Sequence, residues 1–191
     1  MDIRNFFFTY RSYTPIPLAL IILYYAQPEL PLSVAGLFVV ILGEAIRFSG
    51  VRYAGGITRT TKVGAPSLCT AGPFARVRNP LYLGNMVMYT GIVLFAGAPN
   101  LFAMLLLTWV FFSVQYGLII SLEEETLTKL FGDEYQTYRT HVPALFPRIS
   151  SWNSQDNRQP MSVRKTFRSE KRTLQNALLI LIIIILRTQL F

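Results

Sequence analysis

Residues 101–125 read LFAMLLLTWVFFSVQYGLIISLEEE, a run from Leu101 to Leu122 without a charged residue that ends on Glu123, Glu124 and Glu125. A helix crossing the hydrocarbon core of a bilayer needs about 20 mostly apolar residues, and this run is long enough. Just before it, Gly97-Ala98-Pro99-Asn100 supplies a tight reversal out of a second apolar run, Leu81 to Ala98, so the two predict a helical hairpin. A second hairpin is predicted upstream, where Gln27-Pro28-Glu29-Leu30-Pro31 separates Leu32 to Phe48 from the shorter run Pro15 to Ala26. Phe6, Phe7, Phe8 and Tyr10 read as an interfacial aromatic belt that lengthens this first span. A last run, Ala177 to Leu186, reaches span length only if Leu174 to Phe191 enters the bilayer with its polar ends snorkelling. The expected fold class is all-α, a polytopic transmembrane helical bundle of about five spans with short helices at one membrane face.

Composition agrees. Of 191 residues, 52% are apolar and only 15% charged, and the mean hydropathy is +0.38, values that suit a bilayer better than a water-soluble core. The formal charge of +8 is spread between apolar runs, which points to anionic lipid headgroups and not to nucleic acid. Five spans place 17 of the 18 Lys and Arg on one side: those in segments 1–14, 49–80 and 123–173, with Arg47 at a span end. By the positive-inside rule that side is cytoplasmic, in a bacterial inner membrane or the endoplasmic reticulum. Arg4 and Arg11 precede an apolar stretch as in a signal peptide, but no small-residue cleavage site follows, so no cleavage is expected. Cys69 has no second cysteine to pair with, and His141 is the only histidine, so neither a disulfide nor a metal site is expected.

The chain divides into a membrane domain, 1–149, and a tail, 150–191. Ser150 to Pro160 reads as a polar linker. Arg164 to Arg172 reads either as a helix lying on the anionic leaflet or as a solvated charge run. Arg59-Thr60-Thr61-Lys62, after Gly55-Gly56, is polar enough to close over a site or to contact headgroups.

No glycine-rich nucleotide loop and no Ser/His/Asp or Cys/His set occurs. The polar residues concentrate instead where two segments fuse to span ends. The first contains Gly72-Pro73-Phe74 and Arg78-Asn79-Pro80-Leu81-Tyr82-Leu83-Gly84; the second contains Glu123-Glu124-Glu125, Leu127, Phe131-Gly132, Tyr135 and Tyr138. In these residues, over about 68–149, the chain resembles the membrane methyltransferases that include isoprenylcysteine carboxyl methyltransferase and the phospholipid N-methyltransferases. One departure is Asn79, where the better-known members carry histidine.

The resemblance implies S-adenosylmethionine as methyl donor, bound where the third and fourth spans meet the cytoplasm, and a membrane lipid or lipidated small acceptor. It implies a donor site of Arg78, Asn79, Tyr82, Gly84, Glu123, Glu124, Glu125, Tyr135 and Tyr138, with Arg78 and Glu124 as the catalytic pair. The residue types suit that task. Pro80 starts a helix, and a helix N-terminus favours the donor's carboxylate near Arg78 and Asn79. The glutamates accept hydrogen bonds from ammonium and ribose, while Tyr82, Phe131, Tyr135 and Tyr138 offer flat faces to adenine or sulfonium. Asparagine cannot take up a proton near neutral pH, so Asn79 cannot act as a base. A carboxylate or thiolate acceptor needs none, whereas an amine must first be deprotonated.

Each residue also has a plainer reading. Ser121-Leu122-Glu123-Glu124 reads as a capping box, Arg76 and Arg78 as positive-inside anchors, and Tyr135 and Tyr138 as interfacial aromatics. Glu44 and Arg47 form either an i,i+3 ion pair or a contact to the substrate headgroup. Two other functions fit the same helices. A nicotinamide-dependent reductase would use Arg59, Lys62, Arg76 and Arg78 as phosphate anchors, against the repulsion of the glutamates. In a lipid-binding scaffold the charges would serve topology alone.

Overall fold

The computed structural model describes residues 2–55 and 63–190, with side chains as far as Arg187. Its regular elements are α1 (Ile3–Tyr10), α2 (Ile16–Tyr24), α3 (Leu30–Ala54), a 3₁₀ turn (Gly72–Ala75), α4 (Pro80–Ala96), α5 (Leu101–His141) and α6 (Val163–Leu190). No strand occurs among the described residues. Both α3 and α5 are long and apolar enough to cross a membrane, and α4 is a shorter apolar helix.

The centre of the bundle is the α3–α4 pair, and glycine sets its spacing. Gly36, Gly43 and Gly50 recur every seven residues on α3, and Gly84 and Gly91 do the same on α4. These two rows face each other. A Cβ added at Gly43 would lie 2.5 Å from the Met88 backbone nitrogen and 2.7 Å from the Gly84 carbonyl oxygen. One added at Gly91 would lie 2.7 Å from the Gly36 carbonyl oxygen. Where lipid is as apolar as leucine, helices gain little from hydrophobic burial and associate through close backbone packing, which only small residues permit. Gly84 therefore packs against Gly43 and Arg47 and is absent from the lining of the cavity described below.

Two reversals lie together at one end of the bundle. Gly97, in the left-handed conformation (φ 60°, ψ 41°), closes α4, and Asn100 caps α5 by accepting from the Ala103 N–H at 3.0 Å. The turn between α2 and α3 meets this hairpin through Gln27 N–H donating to the Ala96 carbonyl at 2.7 Å. α6 connects the two ends: Met161 N–H, just before it, donates to Arg52 O at 2.7 Å, and Arg187, near its finish, reaches the carbonyls of Leu23 and Ala26.

Several expectations change. The run Pro15 to Ala26 forms one helix, α2, but the aromatic stretch before it does not extend that helix: it is a separate helix, α1, across a break at Arg11 to Pro15, where Thr14 Oγ1 donates to Gln115 Oε1 at 2.7 Å. Phe8 is no belt residue but part of the core, because α1 lies against α5. The basic segment Arg164 to Arg172 is helical and keeps all five of its basic residues exposed. It is continuous with the C-terminal apolar stretch in α6, and it buries Thr166 and Glu170 almost completely. Ser150 to Pro160 is not a free linker but a strap docked on the bundle, as its bonds below show. Lastly, the acidic segment after Leu122 forms no short helix of its own, since α5 runs on through it to His141. Ser121 therefore caps nothing; its hydroxyl bonds back to the Leu118 carbonyl at 2.8 Å. The Arg59–Lys62 stretch lies outside the described residues.

α5 bends at Gly132, whose φ of 52° and ψ of −126° only glycine adopts at low cost. That bend directs residues 133–141 and sets where Tyr135 and Tyr138 lie. Alanine at 132 is expected to cost about 1–3 kcal/mol through backbone strain. The open space around its Cβ offers no clash to blame instead. A lowered thermal transition, checked in detergent by scanning calorimetry, is the expected result.

Candidate active site

Opposite the two reversals lies a cavity of about 650 Å³, a size typical of cofactor and small-molecule sites. Its polar mouth is lined by Arg78, Asn79, Tyr82, Glu123, Glu124, Tyr135 and Tyr138, and its apolar depth by residues such as Phe8, Met88, Ile92, Phe112 and Ala177.

The mouth is assembled from three stretches distant in sequence. Pro80 begins α4, with Asn79 at the cap position, but the Asn79 side chain does not cap the helix. Its Nδ2 donates instead to the Ala144 carbonyl at 3.1 Å. Backbone bonds from Arg78 N–H to Pro143 O (2.9 Å) and Asn79 N–H to Ala144 O (3.1 Å) pin this turn to the chain after α5. Arg78 is held by Glu124, whose Oε1 accepts from Nη2 at 2.5 Å, and by the carbonyls of Val142 and Arg139. Arg139 Nε approaches the other Glu124 oxygen at 3.2 Å. Yet Arg78 Nε is buried with no hydrogen-bond partner among the described residues. A buried guanidinium N–H without an acceptor is costly unless an anion completes it.

The three glutamates divide by their phase on α5. Glu123 accepts the Tyr82 hydroxyl at 3.0 Å to both oxygens, which leaves its carboxylate room for further donors. Glu124 has an arginine on each oxygen, Arg78 on Oε1 and Arg139 on Oε2. Glu125, expected with them at the donor, instead lies outside the cavity, pairing with Lys129 at 2.6 Å and Arg4 at 3.1 Å.

Tyr135 and Tyr138 are both buried, and Tyr138 Oη donates to Phe74 O at 2.8 Å. Burial pushes the Tyr135 phenol up to about 12 and raises that of Tyr138, so both remain neutral. The strap closes this corner. Trp152 N–H donates to Ala75 O at 2.8 Å, and its ring lies 5.4 Å from His141 and 5.7 Å from Tyr138 between centroids. Asp156 accepts from the Thr70 N–H at 2.9 Å and from Arg158 Nε at 2.8 Å. Burial works to raise the Asp156 carboxyl, but the bonds from Arg158 and Thr70 outweigh it and hold it below the usual range. Burial pushes the Cys69 thiol up to about 11, so it stays protonated and a poor nucleophile.

The Glu44–Arg47 pair is present but long, at 3.7 Å. Glu44 does not line the cavity, and its carboxylate oxygens have no hydrogen-bond partner among the described residues. Arg47 does line it, bound chiefly to Glu170 of α6 at 2.8 and 3.2 Å and to Asn85 Oδ1 at 2.5 Å. Sequence reasoning missed Glu170, Tyr116 and Arg158. One signal was on view for the first, as Glu170 is the sole acid in the basic stretch 164–172. Of the phosphate anchors a reductase would need, Arg76 is exposed, bonded to Ser151 Oγ at 3.1 Å and absent from the cavity wall.

The family model for phospholipid methyltransferases matches residues 32–134. Protein-S-isoprenylcysteine O-methyltransferase of Xenopus laevis is 33% identical over 123 residues, 62% of this chain and 41% of that protein. Methanethiol S-methyltransferase 2 of Bradyrhizobium diazoefficiens is 30% identical over 110 residues, 58% of this chain and 40% of that one. The nickel-cobalt-cadmium resistance protein NccN of Alcaligenes xylosoxydans xylosoxydans is 34% identical over 88 residues, 46% of this chain and 39% of that one. The matches thus span about two fifths of these relatives' length. No solved structure matches the chain.

Proposed function

The chain belongs to the phospholipid methyltransferase family, whose model covers more than half of it, and from that premise we propose that it transfers a methyl group from S-adenosylmethionine to a lipophilic acceptor held in the membrane. The observation that carries this reading is a cavity in which a half-buried arginine, two glutamates and three tyrosines meet at a polar mouth above an apolar interior. A zwitterionic, aromatic donor fits the first part, and an acceptor's apolar portion fits the second.

The residues present suit the donor. Arg78, whose buried Nε has no partner among the described residues, would hold a carboxylate. Glu123, whose one hydrogen bond among the described residues comes from the Tyr82 hydroxyl, would take the ammonium or ribose hydroxyls. Tyr135 and Tyr138 supply neutral aromatic faces, which favour a cation without adding charge. Glu124 fixes the guanidinium and so acts through Arg78. When bound, the donor supplies an activated methyl group on a positively charged sulfur. The protein's share is to align the acceptor behind that methyl and exclude water, since in-line displacement gains most from orientation.

Membrane insertion follows the same reading. Taken together, α1 with α2, then α3, α4, α5 and α6 run five times between the reversal end and the cavity end, which supports five crossings with the cavity mouth at the cytoplasmic face. The acceptor would be an isoprenylcysteine-like carboxylate or a phospholipid amine, and anionic headgroups would meet the exposed basic residues of the cytoplasmic side.

The test is isothermal titration of S-adenosylmethionine and its demethylated product into detergent-purified protein, with Glu124→Gln in parallel. Micromolar binding to wild type and about tenfold weaker binding to the variant are expected, because glutamine holds Arg78 by a neutral bond worth roughly half the charged one. A well-folded wild type that binds neither compound overturns the proposal.

A further inference from the structure

Four side chains behind the mouth form a chain whose polarity can be assigned from valence alone. Glu170 accepts from Arg47, Arg47 Nη1 donates to Asn85 Oδ1 at 2.5 Å, and Asn85 Nδ2 donates to Tyr116 Oη at 2.7 Å. Arginine has no acceptor, so the amide of Asn85 must turn its oxygen to Arg47 and its NH₂ to Tyr116. Flipping it would set two donors against each other at 2.5 Å. Tyr116 therefore receives a hydrogen bond and keeps its own O–H hydrogen unspent, for no described residue accepts it. All four side chains line the cavity, yet Arg47, Glu170 and Tyr116 are each more than nine-tenths buried from solvent.

Tyr116 lies seven residues before Glu123 on α5, on the same face and about 10 Å deeper. Its ring stacks on Tyr82 at 4.5 Å and on Phe112 at 5.3 Å, which fixes where the hydroxyl sits. An acceptor entering from the apolar depth meets a rigid hydrogen-bond donor there, below the proposed donor site.

We propose that the Tyr116 hydroxyl, oriented by Glu170, Arg47 and Asn85, binds the nucleophilic atom of the methyl acceptor and selects an oxygen or sulfur nucleophile over an amine. This rests on the methyl-transfer reading and names the acceptor's chemistry. A carboxylate oxygen or a thiolate sulfur has more than one lone pair: one accepts the Tyr116 hydrogen while another attacks. A neutral amine has a single lone pair, and the hydrogen bond would occupy the pair the reaction needs; an ammonium has none. In the transfer, the acceptor's free pair forms the bond to the methyl carbon, the carbon–sulfur bond breaks, and its electrons return to sulfur. The acceptor anion and the sulfonium both become neutral, and no proton moves. Tyr116 contacts the acceptor; Asn85, Arg47 and Glu170 are positioning residues.

The experiment uses three probes with one tail, octanoate, octanethiol and octylamine, and labelled S-adenosylmethionine with the full-length protein in detergent. Rates are compared per deprotonated acceptor. Octanoate or octanethiol is expected to be methylated at least about tenfold more efficiently than octylamine. Tyr116→Phe removes only the hydroxyl and should lower kcat/KM for the preferred probe by about 10- to 100-fold, the loss of one hydrogen bond to a charged group, leaving the donor Kd unchanged. Asn85→Asp separates orientation from packing. Its carboxylate satisfies Arg47 and also draws the Tyr116 hydrogen to itself, so acceptor KM should rise as in Tyr116→Phe although the hydroxyl is still there. Equal use of octylamine, or both variants within twofold of wild type, overturns the inference. If no probe turns over, octanoate must still raise the thermal transition of the demethylated-donor complex in wild type and not in the variants; absence of that shift also overturns it. Donor binding that persists through these failures leaves the methyltransferase reading standing, whereas loss of donor binding removes both.

Discussion

Gly43→Leu is expected to abolish the folded bundle. The first atom of any side chain at this position would sit 2.5 Å from the Met88 backbone nitrogen and 2.7 Å from the Gly84 carbonyl oxygen, and backbone cannot swing aside as a flexible side chain can. Relief requires that α3 and α4 separate along their length, losing the contact that organises the bundle. Overpacking a core by a methylene or two costs about 1–3 kcal/mol; here a whole isobutyl group meets a backbone-to-backbone contact. Against a total stability of about 5–15 kcal/mol, the penalty is decisive. Gly43→Ala, with one methyl, should survive with a thermal transition several degrees lower. Size-exclusion profiles and thermal scans in detergent check both variants, and a monodisperse Gly43→Leu protein with a wild-type transition would contradict the packing argument. By contrast Gly117, whose added Cβ meets nothing within 4 Å, should accept alanine with no loss of stability.

The second large effect belongs to Arg78. Arg78→Ala is expected to weaken S-adenosylmethionine binding by about 100-fold, close to 2.7 kcal/mol, the range for removing a buried charged hydrogen-bond donor from an anionic ligand. The same change leaves Glu124 with Arg139 alone and takes the Arg78 bond from the Val142 carbonyl, so the thermal transition should fall as well. Arg78→Lys resolves the two causes. Lysine keeps the charge that Glu124 needs but lacks the planar fork and the Nε donor, so stability should largely return while donor affinity stays at least tenfold down. Full recovery of affinity with lysine would show that Arg78 contributes only charge.

The two hairpins and their turns were legible in the sequence, because apolar length, proline and glycine are local properties. Gly97 and Asn100 close their helices as their residue types dictate. The motif residues were legible too, as types: an arginine before Pro80, glutamates after Leu122, tyrosines three apart. The facing of those residues was not. In a soluble helix, the buried stripe reveals which face points inward. In α5 the outward residues Phe102, Leu106 and Val110 are as apolar as the buried Met104, Phe112 and Ile119, so the pattern carries no phase. The division of labour among Glu123, Glu124 and Glu125 could not be read for that reason.

Tertiary structure alone decided three further matters. Glu170 meets Arg47 across 123 positions of sequence, and local patterns assign it to a charged surface because nothing nearby reveals its partner. The strap reads as a linker because its polar residues satisfy distant backbone groups: Trp152 bonds Ala75, and Asp156 bonds Thr70. The break between α1 and α2 leaves Arg11 in the cavity wall, ahead of the apolar run that begins at Pro15 and with no local pattern to mark it. Sequence by itself determined that this chain is helical, apolar and furnished with an arginine–glutamate–tyrosine set suited to a cationic donor. Only the fold decided which of those groups share a cavity, since a hydrogen bond's partner is set by proximity in space and a residue's type fixes only what it can offer.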